Sequence, residues 1–178
     1  NVKSTEMYAE KATKMIFENI EKVYENGKDV DARNEMLKAS FYAGQAFTRA
    51  YVGYVHAIAH NLGGHYNVPH GLANAIILPY VLDAFGETAY KPLAKLADIA
   101  GLETAGMNEA QKAQLFIAKI REFNRLLNIP EHLDVLQEKD VETIAKRANK
   151  EGNPLYPVPK IMDVEELSAI IRKVGNLN

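Results

Sequence analysis

The sequence contains no cysteine. It can therefore form no disulfide framework, no thiolate zinc site and no cysteine nucleophile. No apolar run reaches the roughly 18–20 residues that a membrane-spanning helix needs. An excess of one charge is also missing, because 21 Lys and Arg against 23 Asp and Glu leave a formal net charge of −2. We therefore expect neither a nucleic-acid partner nor a membrane partner.

The sequence also lacks an initiator methionine and a signal peptide, since it opens on Asn1-Val2-Lys3. Such an opening is typical of the interior of a longer chain, and the default location is the cytoplasm. The 178 residues are enough for one domain, or for a fragment of a larger protein. Hydrophobic residues make up 47% and charged residues 25%, as in ordinary globular proteins. We therefore predict one folded domain over residues 1–178.

Helical periodicity dominates the chain, and no segment predicts a strand. Gly63-Gly64 predicts a stop between the third and fourth helices. Two capping boxes are predicted, and the stretch 152–159 predicts a proline-stiffened loop. The predicted helices begin near Ser4, Asp31, Tyr51, Pro69, Tyr90, Asn108 and Asp163. One more helix is indicated by Val141, Ile144, Ala145 and Ala148. The predicted core includes Ile16, Leu78, Leu96, Phe116 and Ile170. The sequence thus indicates an all-α protein of seven or eight helices.

Four of the five histidines lie within one 15-residue window: His56, His60, His65 and His70. His56 and His60 are four residues apart and so share one helix face, about 6 Å from each other. A turn at Gly63-Gly64 would form a helical hairpin that brings His70 back beside them. Neutral imidazoles in an otherwise apolar setting are good ligands for a divalent metal.

A single histidine on an apolar helix is more often a core residue than a metal ligand. The metalloprotease pattern HExxH is excluded, because Ala57 follows His56 where that pattern needs a glutamate. Metal catalysis also needs more than two ligands, and no nearby Asp or Glu is an obvious candidate. The residues by themselves therefore indicate an incomplete histidine site.

The histidine segment, Gly53-Tyr-Val-His56-Ala-Ile-Ala-His60-Asn-Leu-Gly-Gly followed by Val68-Pro-His70-Gly-Leu-Ala-Asn74, resembles the signature of the iron-containing (group III) alcohol dehydrogenases. The resemblance continues through Leu78-Pro79, Asn128-Ile129-Pro130 and Gly152-Asn153-Pro154, and it covers essentially the whole chain. It implies the helical-bundle C-terminal domain of the dehydroquinate synthase-like architecture that this family shares. The family's N-terminal nucleotide-binding domain would then be absent from this sequence.

The resemblance assigns roles to individual positions. His56 and His70 match two metal ligands, whereas the other two ligands, an Asp and a His four residues apart, would precede Asn1. His60 matches a histidine beside the nicotinamide and the substrate, which implies a catalytic role in proton relay. Phe47 matches an aromatic residue of the substrate cavity, and Asn149 falls where many relatives carry a cavity cysteine.

The activity that the resemblance implies is the interconversion of an alcohol with an aldehyde or ketone by hydride transfer. The cofactors would be Fe²⁺, or Zn²⁺, and NAD or NADP held by the missing domain, and the full-length enzyme would be a homo-oligomer. The isolated chain is predicted to be inactive, and His65 to lie at the surface or rim. Two alternatives stay open. One is a non-catalytic helical module with a structural metal or none, and the other is a relative of glycerol dehydrogenase or dehydroquinate synthase.

Overall fold

The computed structural model describes residues 3–177, and within them it contains eight helices and no strand. This confirms the all-α prediction. The helices are α1 (Lys3–Glu25), α2 (Val30–Ala50), α3 (Tyr54–Tyr66), α4 (His70–Phe85), α5 (Glu87–Ile99), α6 (Glu109–Leu126), α7 (Glu138–Gly152) and α8 (Val164–Val174). Over the described part of the chain, no helix is both long enough and apolar enough to cross a membrane.

Both predicted capping boxes are present. The Asn108 side chain accepts a 2.9 Å hydrogen bond from the Gln111 amide, and the Gln111 side chain accepts one of 2.9 Å from the Asn108 amide. Asp163 and Glu166 make the same reciprocal pair at 2.9 and 3.1 Å. Each box satisfies two amide groups that a helix N-terminus would otherwise leave unpaired. Accordingly, α6 begins directly after Asn108 and α8 directly after Asp163.

The predicted starts of α1, α2, α3 and α5 were wrong, those of α3 and α5 by three residues. Ser4 lies inside α1, which already includes Lys3. The N-cap of the second helix is Asp29 and not Asp31. The Asp29 side chain accepts a 2.9 Å hydrogen bond from the Ala32 amide. Asp29 has extended backbone angles, which an N-cap requires, whereas Asp31 is already helical.

The predicted stop at Gly63-Gly64 was also wrong, because α3 continues through both glycines to Tyr66. The helix ends at Asn67, whose left-handed backbone (φ 57°) lets its amide donate to the Gly63 carbonyl at 2.9 Å. Each helical glycine costs about 1 kcal/mol relative to alanine. Fully buried Leu62 and the hydrogen-bonded Tyr66 hold the last turns in place against that cost.

The residues group into two compact units. The first comprises the described residues up to Tyr51 together with Tyr90–Lys119, and it includes α1, α2, most of α5 and the first part of α6. Phe17 of α1 stacks on Phe116 of α6 with ring centroids 5.1 Å apart. Lys95 pairs with Glu6 and Glu10, and these two carboxylates raise the pKa of Lys95 to about 12.

The second unit comprises Val52–Ala89 and the described residues from Ile120 onward. Within it α3 packs against α4 and α7, and α8 packs against α4 and α7. Its largest fully buried side chains include Tyr54, Ile58, Leu62, Ile76, Ile77, Ile144, Leu167 and Ile171. The buried side chains of α3 lie on one face of the helix, and His56 and His60 lie on another face, where the candidate site is.

Candidate metal centre

Three histidines come together in the second unit. The ring centroids of His56 and His70 are 5.4 Å apart, those of His60 and His70 are 5.4 Å apart, and those of His56 and His60 are 5.9 Å apart. The rings of His60 and His70 are stacked, with 15° between their planes. The structure thus brings together the three histidines that the sequence singled out for metal binding and proton relay.

Helix phase explains this convergence. Ala57, Ile58 and Ala59 are at most 1% exposed, so the side of α3 that carries them faces the core. His56 and His60, at positions i and i+4, lie together on a different side. His70 is the first residue of α4 and follows Pro69 at the N-cap. The hairpin between α3 and α4 therefore forms as predicted, although it turns at residues 67–69 and not at the two glycines.

The surroundings of His56 lower its pKa and so favour its neutral form. Burial lowers the pKa of His56, and the positive charge that His70 and His60 carry when protonated lowers it further, whereas Glu151 opposes the shift. A neutral imidazole has a free lone pair on one ring nitrogen, which is the form that ligates a metal. The lowered pKa therefore favours the form of His56 that its predicted role requires.

Asn74 lies beside His70, one helical turn further along α4. Its Nδ2 donates to the His70 carbonyl at 2.8 Å and is 3.1 Å from His70 Nε2. Its Oδ1 is buried and has no hydrogen-bond partner in the described part of the structure. Because buried polar atoms are nearly always paired, an orphan atom next to an imidazole cluster is typical of a site that takes up a further group.

A carboxylate that the sequence analysis missed completes the surroundings of His60. Glu151, near the end of α7, has its Oε1 2.7 Å from His60 Nδ1. The Tyr156 hydroxyl donates to the same Oε1 at 3.0 Å. His60 and Glu151 are 91 positions apart, so no local spacing could have indicated their contact. The one available signal was that Glu151 directly precedes the Gly152-Asn153-Pro154 motif.

A buried hydrogen-bond network positions the segment after Glu151. The Tyr54 hydroxyl donates to Asn153 Oδ1 at 2.6 Å and accepts from the Met162 amide at 2.9 Å. Gly152 packs so closely on this ring that an added Cβ would lie 2.8 Å from Tyr54 Cε1. Tyr54 begins α3 two residues before His56, so the network ties the carboxylate segment to the histidine helix.

The imidazole nitrogens of the site are suitable ligands for a divalent metal, but the site has too few ligands to hold one alone. Imidazole nitrogens suit iron and zinc. Within residues 3–177, however, no group of three or more His, Asp or Glu side chains is arranged to hold an ion. His60, whose Nδ1 contacts Glu151, is predicted from the family resemblance to relay a proton and not to ligate the metal. His56 and His70 are therefore the residues that could hold a metal, as two ligands of a larger set.

The two predicted cavity residues lie in different units. Phe47 of α2 is 52% exposed and lines an apolar groove of about 430 Å³ in the first unit, together with Ala46, Tyr51 and Ile16. Asn149 of α7 is half-buried in the second unit, and its side-chain amide donates to the Met162 carbonyl at 3.0 Å. Their assignment to a substrate cavity stays a prediction.

The remaining two histidines lie outside the cluster. His65 is exposed, and its Nε2 is 3.4 Å from Asp140 Oδ1, at the surface of the second unit. His132 has its Nδ1 3.0 Å from the Lys173 carbonyl oxygen. Both are therefore suitable controls for experiments on the other three.

The chain is similar in sequence to known proteins. The sequence profile of the Fe-containing alcohol dehydrogenase family, C-terminal, matches residues 1–175. The 1,3-propanediol dehydrogenase of Klebsiella pneumoniae is 36% identical over 171 residues, which are 95% of this chain and 44% of that protein. Alcohol dehydrogenase 4 of Saccharomyces cerevisiae is 38% identical over 173 residues, again 95% of this chain and 44% of that protein.

A solved structure shows the same fold. The crystal structure of a 1,3-propanediol oxidoreductase superposes with a TM-score of 0.91 at 35% identity, covering 96% of this chain and 45% of that one. The chain thus spans less than half the length of the relatives it matches.

Proposed function

Since the chain belongs to the Fe-containing alcohol dehydrogenase family, we propose that it is the metal-binding part of an enzyme that interconverts an alcohol with an aldehyde or ketone. The hydride carrier would be NAD or NADP, bound by residues outside this chain. The substrate would be a small alcohol or aldehyde. The observation that carries this proposal is the convergence of three imidazole rings, 5.4–5.9 Å apart, within the family's motif.

His56 and His70 would hold the metal, Fe²⁺ or Zn²⁺. When bound, such an ion supplies Lewis acidity that stabilises an alkoxide or polarises a carbonyl. The contribution of this chain is to present two imidazoles at one site. The direction of the His56 pKa shift supports that role, because burial lowers the pKa and so favours the neutral ring with a free lone pair.

His60 would handle the proton of the substrate hydroxyl. Its ring stacks on His70 and is 45% exposed, so a small molecule can reach it. An imidazole is well suited to exchange a proton near neutral pH. Phe47 and Asn149 belong to the proposal as substrate-cavity residues, which their resemblance to family positions supports.

Metal titration of the 178-residue chain tests the proposal. We expect weak binding of Zn²⁺ or Co²⁺ in calorimetry, since two neutral imidazoles supply only half of a four-ligand set and no charge. His56→Ala and His70→Ala should each abolish this binding. His65→Ala and His132→Ala are matched controls, because each removes a histidine outside the cluster, and both should bind like the parent chain.

Two results would contradict the proposal. Equal loss of binding in His65→Ala would show that the metal is bound elsewhere. Tight stoichiometric binding would mean that the chain contains a closed site of its own, as a helical module with a structural metal would.

A further inference from the structure

Glu151 and His60 form a pair beside His56 and His70, the two predicted metal ligands. His60 Nδ1 lies 2.7 Å from Glu151 Oε1, which is the length of a strong charge-assisted hydrogen bond. The side chains come from different helices, α3 and α7, so helix geometry alone does not impose the contact. Glu151 is 29% exposed and His60 45% exposed, so the pair lies at the accessible edge of the cluster.

Tyr156 holds the carboxylate from the other side. Its hydroxyl donates to Oε1 at 3.0 Å, so that one oxygen receives both contacts. Burial raises the pKa of Tyr156, and its hydrogen bond to Glu151 raises it further, so the tyrosine stays a donor. With one donor on each side, Glu151 has a defined orientation before any ligand arrives.

The contact has a chemical consequence for the imidazole. A carboxylate can only accept a hydrogen bond, so the nitrogen that faces it must carry the hydrogen. In a neutral imidazole the other nitrogen then has a free lone pair. The carboxylate therefore selects the tautomer with hydrogen on Nδ1 and leaves Nε2 as the basic atom.

We propose that Glu151 is a positioning residue that fixes His60 as the Nδ1–H tautomer and orients its ring, so that Nε2 accepts the proton of the bound alcohol. The tautomer follows from this chain alone, whereas its use in catalysis rests on the proposed function. When the proton transfers, the O–H bond breaks and its electron pair stays on the alkoxide. The Nε2–H bond forms from the imidazole lone pair, and the carboxylate offsets the positive charge of the imidazolium, as an acidic residue does in a catalytic triad.

Nitrogen NMR of the intact 178-residue chain tests the inference. Histidine labelled with ¹⁵N distinguishes a protonated, pyrrole-like nitrogen from an unprotonated, pyridine-like one. The pH is raised until the His60 nitrogen shifts no longer change, so that the neutral ring is observed. We expect His60 Nδ1 to be pyrrole-like and Nε2 pyridine-like, with a single resonance for each nitrogen.

Three variants separate positioning from folding. Glu151→Leu removes the acceptor and should shift His60 toward a mixture of tautomers. Tyr156→Phe keeps the carboxylate and should cause a smaller shift in the same direction. Glu165→Gln, a charge-neutralising change at an exposed glutamate of α8, is the matched control and should leave His60 unchanged. The backbone amide spectrum verifies that each variant folds, and if Glu151→Leu fails to fold, Tyr156→Phe and Glu151→Gln decide.

The inference is overturned if His60 in the parent chain is protonated on Nε2, or if its nitrogens do not respond to any change at Glu151. Its failure is distinguishable from failure of the proposed function. Loss of the tautomer with metal binding retained would refute only the role of Glu151. A fixed tautomer in a chain that binds no metal would refute only the proposed function.

Discussion

At the scale of single residues, Tyr54 is the polar group on which the segment after α7 depends. Its hydroxyl is fully buried and makes hydrogen bonds with Asn153 and Met162. Tyr54→Phe leaves both partners buried without their bond, and we expect a loss of about 1–3 kcal/mol in the free energy of unfolding. Urea denaturation measures it.

The control for that experiment is Tyr51→Phe, which removes the same hydroxyl from a side chain that is 65% exposed. It should change the free energy of unfolding by less than about 0.5 kcal/mol. Equal stabilities for the two variants would show that the buried network contributes nothing to folding.

The sequence predicted the residues of the site only where spacing within one segment was sufficient. His56, His60 and His70 lie within 15 residues, so helix phase and a hairpin bring them together. Glu151 reaches His60 from 91 residues away, through the packing of α7 on α3. A single sequence contains no periodicity that reports such a pairing. The resemblance to a family pointed only to positions near Glu151, namely Asn149 and the motif Gly152-Asn153-Pro154.

At the scale of elements, the end of α3 determines where α4 and His70 begin. Asn67 adopts a left-handed backbone there, which costs most L-residues about 1–2 kcal/mol. We therefore expect Asn67→Ala to destabilise the chain by about 1 kcal/mol. Asn67→Gly should leave stability nearly unchanged, because glycine adopts this conformation freely. Thermal or urea denaturation of the pair measures the difference, and equal losses would contradict the assignment of Asn67 as the helix C-cap.

A second contact of α3, with the start of α7, should make stability depend on pH. The Tyr66 hydroxyl donates to Asp140 at 2.6 Å and is the main reason that the pKa of Asp140 is lowered, with His65 and Lys139 assisting and desolvation opposing. A lowered folded-state pKa adds stability that is fully present above the ordinary aspartate pKa of about 3.9 and is lost as the pH falls through the folded value.

Tyr66→Phe tests this dependence. It should move the pKa of Asp140 upward, toward the ordinary value, in a carboxyl NMR titration. Its unfolding free energy should also fall less than that of the parent chain between about pH 6 and about pH 3. Tyr90→Phe, in the other unit, is the control. An unchanged Asp140 titration in Tyr66→Phe would rule out the hydroxyl as the cause.

Helix boundaries were predictable where a side chain caps the helix end through local hydrogen bonds. The boxes at Asn108 and Asp163 satisfy amides within four residues, and both are present as predicted. The Gly63-Gly64 stop failed, because glycine permits a helix to end without requiring it. Tertiary contacts of Leu62 and Tyr66 decided that boundary, and such contacts are not visible in the propensity of the residues themselves.

At the scale of the whole molecule, the sequence indicated an all-α protein but not its division into two compact units. Each unit is assembled from two separate stretches of chain, and two of the boundaries, after residues 89 and 119, fall inside helices α5 and α6. Boundaries inside helices have no proline-rich or glycine-rich linker to reveal them. Burial was predicted unevenly: Phe116 and Ile170 are buried, whereas Ile16, Leu78 and Leu96 are half-buried.

The 178-residue chain, assayed by itself, should fold and yet show no alcohol dehydrogenase turnover. Its described residues contain no strand, and therefore no strand–turn–helix phosphate site for a nicotinamide nucleotide. Holding the hydride carrier against the substrate is worth roughly 7–11 kcal/mol, and loss of that positioning is enough to abolish measurable rates. The assay combines purified chain, an alcohol panel, NAD or NADP and added Fe²⁺ or Zn²⁺, and follows absorbance of the reduced cofactor, while urea denaturation checks for cooperative unfolding. Turnover that persists through purification and disappears in His70→Ala, but not in His65→Ala, would show that these residues contain complete catalytic machinery.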